Sequence, residues 1–260
     1  MDMVRSYAPG PHVADAIHDR VRVLILGGTA EARRLADVLA PRVEIEVVTS
    51  AGGAASAFGG AEDLVAMLSD LRPDAVVDAT HAYAQTISRY ARRACAAAGI
   101  PRLRYERPGW AEQAGDDWRV ADDLGAAVAM ACDIGKRVFL SVGKVPPPLV
   151  APFQEHWFLM RSGEPAAPMP ANVRVIGGKG PFTRESETEL LDGHRIDVVV
   201  AKVAGGSAAY AKIEAARELR LPVVMLKRPD PPAGPIAGSL GETLAWLDLL
   251  VEACQPEREA

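Results

Sequence analysis

Short apolar segments alternate with alanine-rich segments along most of this chain, and the first apolar segment ends in two glycines. The apolar run Val21–Leu26 is separated by Gly27-Gly28-Thr29 from a helical pattern over Ala30–Leu39. A strand, a glycine turn and a helix in this order form a βα unit whose turn suits a phosphate, because the first N–H groups of the helix point outward there. A single turn of this kind also occurs where the chain merely reverses.

The alternation continues to the end of the chain and predicts its fold class. Further strands are expected at Val43–Ser50, Ala75–Ala79, Arg102–Tyr105, Val138–Ser141, Trp157–Met160, Val173–Ile176, Asp197–Ala201 and Pro222–Leu226. Strands joined through helices pair in parallel. The sequence therefore predicts an α/β protein with two Rossmann-like domains, mostly parallel sheets and a cleft between them that faces the C-terminal strand ends. The expected boundaries are a flexible extension over 1–20, a dinucleotide-binding domain over 21–134 and a second domain over 135–260.

Composition excludes several other classes of protein. Hydrophobic residues make up 49% of the 260 residues but aromatic residues only 5%, which suits parallel strands covered by alanine-rich helices. A formal net charge of −5 argues against a nucleic-acid partner. No apolar run reaches the roughly 18 residues of a membrane span, and the first twenty residues lack the apolar region of a signal peptide. Cys95, Cys132 and Cys254 have no paired spacing, so neither disulfides nor a metal site is expected. The sequence therefore predicts a cytoplasmic location.

Polar and basic residues follow several of the predicted strands. Thr80 and His81 follow the third strand, Lys144 follows the first strand of the second half, and Lys179 lies in a glycine-rich loop. Lys202 precedes Gly205-Gly206. Basic side chains collected at strand ends of an acidic protein indicate a polyanionic ligand. Each lysine alone is also consistent with a solvated loop, and His81 with a structural cap.

The coenzyme preference is predicted from a missing carboxylate. NAD-specific sites carry Asp or Glu about 20 residues past the glycines, where it binds the ribose 2′-hydroxyl. Here that region is Val48-Thr49-Ser50-Ala51-Gly52, which has no acidic residue. The sequence therefore favours NADPH, with Ser50 as a donor to its 2′-phosphate.

Ordered motifs over residues 21–250 resemble the precorrin-6A reductase family of cobalamin biosynthesis. They are Gly27-Gly28-Thr29-Ala30-Glu31-Ala32-Arg33, Phe58-Gly59-Gly60, Asp78-Ala79-Thr80-His81, Arg104-Tyr105-Glu106-Arg107-Pro108 with Trp110, Gly180-Pro181-Phe182, Lys202 with Gly205-Gly206, Tyr210-Ala211-Lys212 and Arg228-Pro229. Their order and spacing are far more specific than one glycine turn. The chain departs from the family pattern at Ala82, Tyr83, Val203, Ala204, Lys179 and the loop Gly52-Gly53-Ala54.

The resemblance implies a two-domain reductase that transfers hydride from NADPH to one double bond of an anionic tetrapyrrole. The coenzyme-binding residues that it implies are Gly27, Gly28, Thr29, Glu31, Ala32, Ser50, Ala51, Gly52, Thr80, His81, Lys202, Gly205 and Gly206. The implied substrate-binding residues are Arg104, Lys144, Lys179, Tyr210 and Lys212. His81 is the candidate proton donor, and no metal is expected.

Other functions remain open at this point. One is a cobalt-precorrin-6A reductase that uses NADH, and another is a reductase of a different polyanionic substrate. A third is a diverged protein that binds a dinucleotide or a tetrapyrrole without this activity. The resemblance implies a monomer or weak oligomer, with neighbouring cobalamin-pathway enzymes as candidate partners and neither nucleic acid nor membrane.

Overall fold

The computed structural model describes residues 4–7, 20–50, 60–163, 168–178, 180–207 and 209–254, and of residues 4–7 only the backbone. The chain forms two compact units. The first unit comprises Met1–Arg107 together with Pro229–Ala260, and the second comprises Pro108–Arg228. The second unit is therefore one uninterrupted stretch of chain, whereas the first is assembled from both ends of the sequence.

The first unit is built around a six-stranded sheet in which every strand pair is parallel. Its strands are β1 (Val4–Tyr7), β2 (Val21–Leu26), β3 (Ile45–Ser50), β4 (Ala75–Asp78), β5 (Arg102–Tyr105) and β12 (Ile236–Ala237), in the spatial order β1-β3-β2-β4-β5-β12. Its helices are α1 (Ala30–Leu39), α2 (Ala61–Leu71), α3 (Gln85–Ala98) and α7 (Leu240–Cys254). In register, Val23 of β2 lies opposite Val47 of β3 and Ala75 of β4.

The central strand β2 is apolar throughout its core positions because helices cover both faces of the sheet. Val23 and Ile25 pack on one side with α1 and α7. Leu24 and Leu26 pack on the other side with α2 and α3. A strand that is buried on both faces has a nearly continuous apolar sequence, which explains the apolar run Val21–Leu26.

The second unit repeats this three-layer arrangement with a sheet of its own. Its strands are β6 (Trp118–Ala121), β7 (Arg137–Ser141), β8 (Trp157–Arg161), β9 (Val173–Ile176), β10 (Val198–Lys202) and β11 (Val223–Leu226), in the order β6-β11-β10-β7-β8-β9, all parallel. Helix α4 (Leu124–Ile134) packs on one face, and α5 (Arg184–Gly193) and α6 (Ala211–Glu218) pack on the other. A short 3₁₀ turn spans Pro147–Leu149. The predicted α/β class with two parallel sheets is confirmed.

Three details differ from the sequence prediction, and strand pairing explains each. The division predicted at residue 134 is displaced because β6 pairs with β11 of the second sheet. The C-terminal segment returns to the first unit because β12 pairs with β5. Part of the extension predicted to be flexible, Val4–Tyr7, forms a parallel edge strand beside β3, while most of residues 1–19 lie outside the described part of the chain.

None of the helices in the described residues is long and apolar enough to span a bilayer. The three cysteines are all described and all free. Cys95 and Cys132 are buried in α3 and α4, and burial raises the pKa of each thiol to about 11. Their packing among small apolar residues agrees with the reading of these cysteines as core residues.

Candidate functional site

Each sheet has one point at which its strand order reverses, and these points locate the candidate sites. In the first unit β2 lies between β3 and β4, and in the second unit β7 lies between β8 and β10. In open α/β sheets, ligands bind beyond the carboxyl ends of the strands that flank such a reversal. The relevant loops are therefore those after β2 and β4 in one unit, and those after β7 and β10 in the other.

The glycine turn after β2 is shaped for a ligand that approaches the backbone closely. Gly28 has a φ of +113°, a conformation that residues with a Cβ rarely adopt. A Cβ on Gly27 would lie 3.2 Å from the Cβ of Ala32, so small residues at both positions let the turn pack against the first turn of α1. These are the roles that a dinucleotide fingerprint gives to its glycines and its final small residue.

Side-chain hydrogen bonds connect the glycine turn to the two neighbouring strands. The hydroxyl of Ser50, at the end of β3, accepts a hydrogen bond from the Gly27 N–H at 3.2 Å. Thr29 caps α1 by accepting from the Ala32 N–H at 3.1 Å, and its hydroxyl donates to the Ala79 carbonyl at 2.8 Å. The ends of β2, β3 and β4 are thereby fixed relative to one another.

The first turn of α1 carries an ion pair beside the glycine turn. Glu31 and Arg107 form a charge-paired hydrogen bond, with 20% and 27% of their side-chain surfaces exposed. Arg107 therefore offsets the negative charge of Glu31 at a helix N-terminus that favours anions. A turn of small residues, a capped helix start and a nearby guanidinium fit the phosphates of a dinucleotide.

A buried cluster of charges lies directly behind the end of β4. Asp78 is fully buried and pairs with Arg104 at 2.7 Å and with Arg102 at 3.4 Å. Arg104 also pairs with Glu106 at 2.9 Å and donates to the Thr80 hydroxyl at 2.8 Å. Two carboxylates thus balance two guanidinium groups, which is the condition under which charges are tolerated in a protein interior.

The burial of this cluster contradicts the predicted contact of Arg104 with substrate and gives Thr80 a structural role. Arg104 was expected to bind substrate carboxylates, but it is 1% exposed and its guanidinium is engaged by protein groups. The hydroxyl of Thr80, 4% exposed, donates to Asp78 at 2.8 Å and lies 3.1 Å from the Ser88 hydroxyl. Both side chains hold the loop after β4 in shape. Charge alone in the sequence does not distinguish such an arginine from one that faces a ligand.

His81 lies on the exposed side of that same loop. Its Nδ1 accepts a hydrogen bond from the Tyr83 N–H at 3.3 Å, and the two rings are 5.7 Å apart. Because Nδ1 is the acceptor, the neutral imidazole carries its proton on Nε2. The rigid charge cluster behind the loop and this local contact together fix where the imidazole stands.

The second unit places three of the predicted lysines around its own strand-order reversal. Lys144 is exposed in the loop after β7, next to Gly143, which has a φ of +85°. Lys202 ends β10 and is half-buried, and burial lowers its pKa. Lys212, in the first turn of α6, is 8% exposed, and burial lowers its pKa to about 8.

The indole of Trp110 lies beside Lys212. The lysine Nζ donates to the Ala209 carbonyl at 2.8 Å and lies 5.8 Å from the centroid of the Trp110 ring. Trp110 packs against Tyr210 with centroids 5.3 Å apart, and the Tyr210 hydroxyl accepts from Arg217 at 2.7 Å. Tyr210 thus has a structural partner of its own, so its predicted contact with substrate stays a prediction.

The segment that directly follows β10, Val203–Ser207, is called here the β10 loop. Gly205 and Gly206 have φ values of +72° and +69°, which explains why two glycines occur in succession. The side chain of Arg228 and the indole of Trp110 both reach this loop. The sequence named these two residues only as parts of motifs, because a contact over so long a separation leaves no local pattern.

Three predicted site residues, Ala51, Gly52 and Lys179, lie outside the described residues. Within the described part of the chain, no group of three or more His, Cys, Asp or Glu side chains is arranged to hold a metal ion.

Comparison with known proteins agrees with this geometry. The family model described as "Precorrin-6x reductase CbiJ/CobK" matches residues 22–248. A precorrin-6A reductase of Rhodococcus erythropolis is 39% identical over 88% of this chain and 98% of its own length, and that of Rhodobacter capsulatus is 40% identical over 87% and 95%. A solved structure titled "CobK precorrin-6A reductase" matches with a TM-score of 0.78 and 39% identity, covering 88% of this chain and 97% of that one. The chain thus belongs to the precorrin-6x reductase family.

Proposed function

We propose that this chain reduces one ring double bond of precorrin-6A with hydride from NADPH, as a step of cobalamin biosynthesis. The observation that carries the proposal is the match to the reductase family over residues 22–248, which spans both units and includes every predicted site residue. Relatives with 39% and 40% identity are named precorrin-6A reductases, and this chain covers almost all of their length.

The coenzyme is proposed to bind where the strand order of the first sheet reverses, beyond the carboxyl ends of β2 and β4. NADPH, when bound, supplies the hydride. Gly27, Gly28 and the start of α1 would hold its phosphates through backbone N–H groups, and Arg107 offsets the negative charge of Glu31 beside them. Ser50 and Thr29 act on the turn itself, by fixing its backbone to β3 and β4.

The preference for NADPH over NADH rests on the end of β3. The strand finishes with Val48, Thr49 and Ser50, none of which carries a negative charge. A carboxylate at this position would bind the ribose 2′-hydroxyl of NADH and repel a 2′-phosphate. Its absence supports NADPH as the coenzyme.

The substrate is an anionic tetrapyrrole, and the second unit offers the cations to bind it. Lys144 lies in the loop after β7, and Lys212 lies in the first turn of α6. Each would pair with a carboxylate of the ring, and the buried position of Lys212 would help to orient the macrocycle.

His81 is the proposed proton donor that completes the reduction after hydride transfer. Its imidazole stands on the exposed side of a loop that the Asp78 cluster makes rigid. Replacing it by His81→Ala should lower the single-turnover rate at least tenfold, because positioned acids contribute about 10²–10⁴-fold. Tyr83→Phe keeps the ring contact and serves as the matched control. An unchanged rate in His81→Ala would remove this role from the histidine.

The activity is tested with purified protein and four substrate pairings. Precorrin-6A and its cobalt form are each offered with NADPH and with NADH, and loss of the oxidised chromophore is followed together with oxidation of the nicotinamide. We expect metal-free precorrin-6A with NADPH to give the highest kcat/KM, with one coenzyme consumed per macrocycle. Faster turnover of the cobalt form with NADH would replace this assignment by a cobalt-precorrin-6A reductase.

The same assay separates the enzyme from a binding protein. A diverged carrier would bind NADPH or the tetrapyrrole in calorimetry while leaving both chromophores unchanged. Binding without oxidation would overturn the catalytic proposal and leave only the ligand assignment standing.

A further inference from the structure

The β10 loop is held in place by side chains from both ends of the second unit. Arg228, the last residue of that unit, donates from Nε to the Val203 carbonyl at 2.6 Å and from Nη2 to the Ala204 carbonyl at 2.7 Å. Trp110, near the start of the unit, donates from Nε1 to the Gly206 carbonyl at 2.8 Å. Three of the loop's carbonyl groups are thus bonded to donors from outside the loop.

Close packing fixes these donors as well as the loop. A Cβ on Gly109 would lie only 2.8 Å from Cγ1 of Val203, so the segment that carries Trp110 approaches the loop as closely as a glycine allows. The indole is in turn packed against Tyr210, at 5.3 Å between centroids, with Lys212 at 5.8 Å. The guanidinium of Arg228 contributes two N–H donors in one rigid plane, a geometry that a lysine cannot reproduce.

The bonded carbonyls determine where the loop's N–H groups point. In a trans peptide the carbonyl and the following N–H point in opposite directions. The Gly205 N–H therefore faces away from Arg228, and the Ser207 N–H faces away from Trp110. In the described chain no acceptor is assigned to either N–H. Backbone N–H groups that are left without a protein acceptor in a turn can bind an anionic oxygen.

We propose that Arg228 and Trp110 are positioning residues that preset the backbone of the β10 loop, so that its N–H groups receive an anionic oxygen of the bound ligands. This inference rests on the proposed function, since that oxygen belongs to a carboxylate of the tetrapyrrole or to a phosphate of the dinucleotide. Neither side chain needs to touch the ligand, because each acts through a carbonyl of the loop.

Two conservative variants remove the hydrogen bonds and leave charge and packing in place. Trp110→Phe keeps an aromatic ring against Tyr210 and removes the donor to Gly206, while Arg228→Lys keeps the positive charge and removes the two-donor plane. Trp246→Phe is the control for the first, because the Trp246 indole packs on the first unit's core without an assigned hydrogen bond. Lys227→Ala is the control for the second, because the Lys227 side chain is 59% exposed and its ammonium group is 3.8 Å from an Asp122 carboxylate oxygen.

The ligand-free protein supplies a readout that does not depend on activity. The backbone order parameters of Gly205 and Gly206, measured by NMR, should be near 0.85 in the wild type and fall toward about 0.6 in both variants. The controls should match the wild type. Wild-type order parameters in both variants would overturn the proposal, since the loop would then keep its shape without these donors.

The functional readout identifies which ligand supplies the oxygen. We expect each variant to weaken the binding of one ligand about three- to tenfold. The double variant should weaken it by less than the product of the two single effects, because both side chains act on one loop. A raised KM for precorrin-6A with unchanged NADPH affinity assigns a carboxylate, and weaker NADPH binding in calorimetry assigns a phosphate. Affinities and kcat within twofold of the wild type would overturn the proposal.

Failure of the proposed function would look different. A wild-type protein that oxidises no NADPH with either form of precorrin-6A contradicts the reductase assignment, while the order parameters still decide whether Trp110 and Arg228 hold the loop. Calorimetric titration with NADPH then tests the phosphate alternative without turnover.

Discussion

Among single residues, Lys212 is a charged side chain whose burial lowers the stability of the folded protein. The residue is 8% exposed, and burial lowers the pKa of its ammonium group from 10.5 to about 8. Glu187, which is 1% exposed and paired with Arg161 at 2.6 Å, partly offsets that effect on the lysine. Desolvation is the larger influence, so the charged form of Lys212 is disfavoured in the folded protein relative to the unfolded chain.

Replacing Lys212 by methionine should therefore stabilise the folded protein and lower its catalytic activity. The penalty exists wherever the folded lysine is charged, below about pH 8, and fades between pH 8 and 10.5, because the unfolded chain holds more protons there. We expect Lys212→Met to raise Tm by about 3 °C or more at pH 7, with the gain shrinking toward pH 10.5. Its kcat/KM for precorrin-6A should fall by roughly tenfold or more.

Lys136→Met is the matched control, since that side chain is 63% exposed and 3.9 Å from Glu155. Thermal melts across pH and steady-state kinetics measure both effects. A Tm difference for Lys212→Met that does not vary with pH would show that the desolvated charge is not the cause.

The position of a residue in the fold is easier to predict from the sequence where the backbone requires a residue type than where only the charge of the side chain is known. The turn at Gly27 and Gly28 was recognisable because two glycines between an apolar strand and a helical pattern supply the backbone freedom that such a turn needs. Arg104 and Lys144 look alike in the sequence, yet Arg104 is inside the fold and Lys144 outside. Only the pairing of β4 with β5, which brings Arg104 against Asp78, separates them.

Among the elements, the turn from β2 to α1 concentrates several interactions on one side chain. Thr29 accepts from the Ala32 N–H to cap α1, and its hydroxyl donates to the Ala79 carbonyl to join β2 to β4. Strand and helix bounds here follow closely from sequence, since an apolar run, a capping residue and an amphipathic pattern fall in order. The bond to Ala79 was not predictable, because it depends on which strand pairs with β2.

Thr29→Val keeps the side-chain shape and removes both hydrogen bonds. We expect it to lower the free energy of unfolding by about 1–2 kcal/mol, the usual cost of a lost cap. It should also weaken NADPH binding, because the turn loses its connection to the neighbouring strand. Thr29→Ser restores the hydroxyl and should recover both quantities in denaturant unfolding and calorimetry. Equal NADPH affinity in the valine variant would show that the turn keeps its shape unaided.

For the whole molecule, the division of the chain was the feature that sequence patterns predicted least well. The sequence pattern predicts a boundary near residue 134, between two similar series of strands and helices. The structure instead makes Pro108–Arg228 one unit and returns the C-terminal segment to the other. A two-residue strand such as β12 has no periodicity to detect, so its pairing with β5 is visible only in three dimensions.

The two units should differ when expressed as fragments. Residues 108–228 contain all six strands of their sheet and the helices on both faces, so this fragment should fold and melt cooperatively. Residues 1–107 lack α7, whose Leu247 and Val251 are buried against the same core as Leu35. That fragment should show no cooperative transition in circular dichroism. Cooperative melting of 1–107 alone would mean that α7 is dispensable to its core.

The return of the C-terminus to the first unit also sets an order for biogenesis. As the polypeptide leaves the ribosome, the contiguous unit is complete and clear of the exit tunnel while its neighbour still waits for β12 and α7. The nascent first unit is thus exposed to chaperones and proteases until β12 and α7 have also left the ribosome. A premature stop after Arg228 would yield a chain in which the second unit has all of its strands and helices and the first unit lacks β12 and α7.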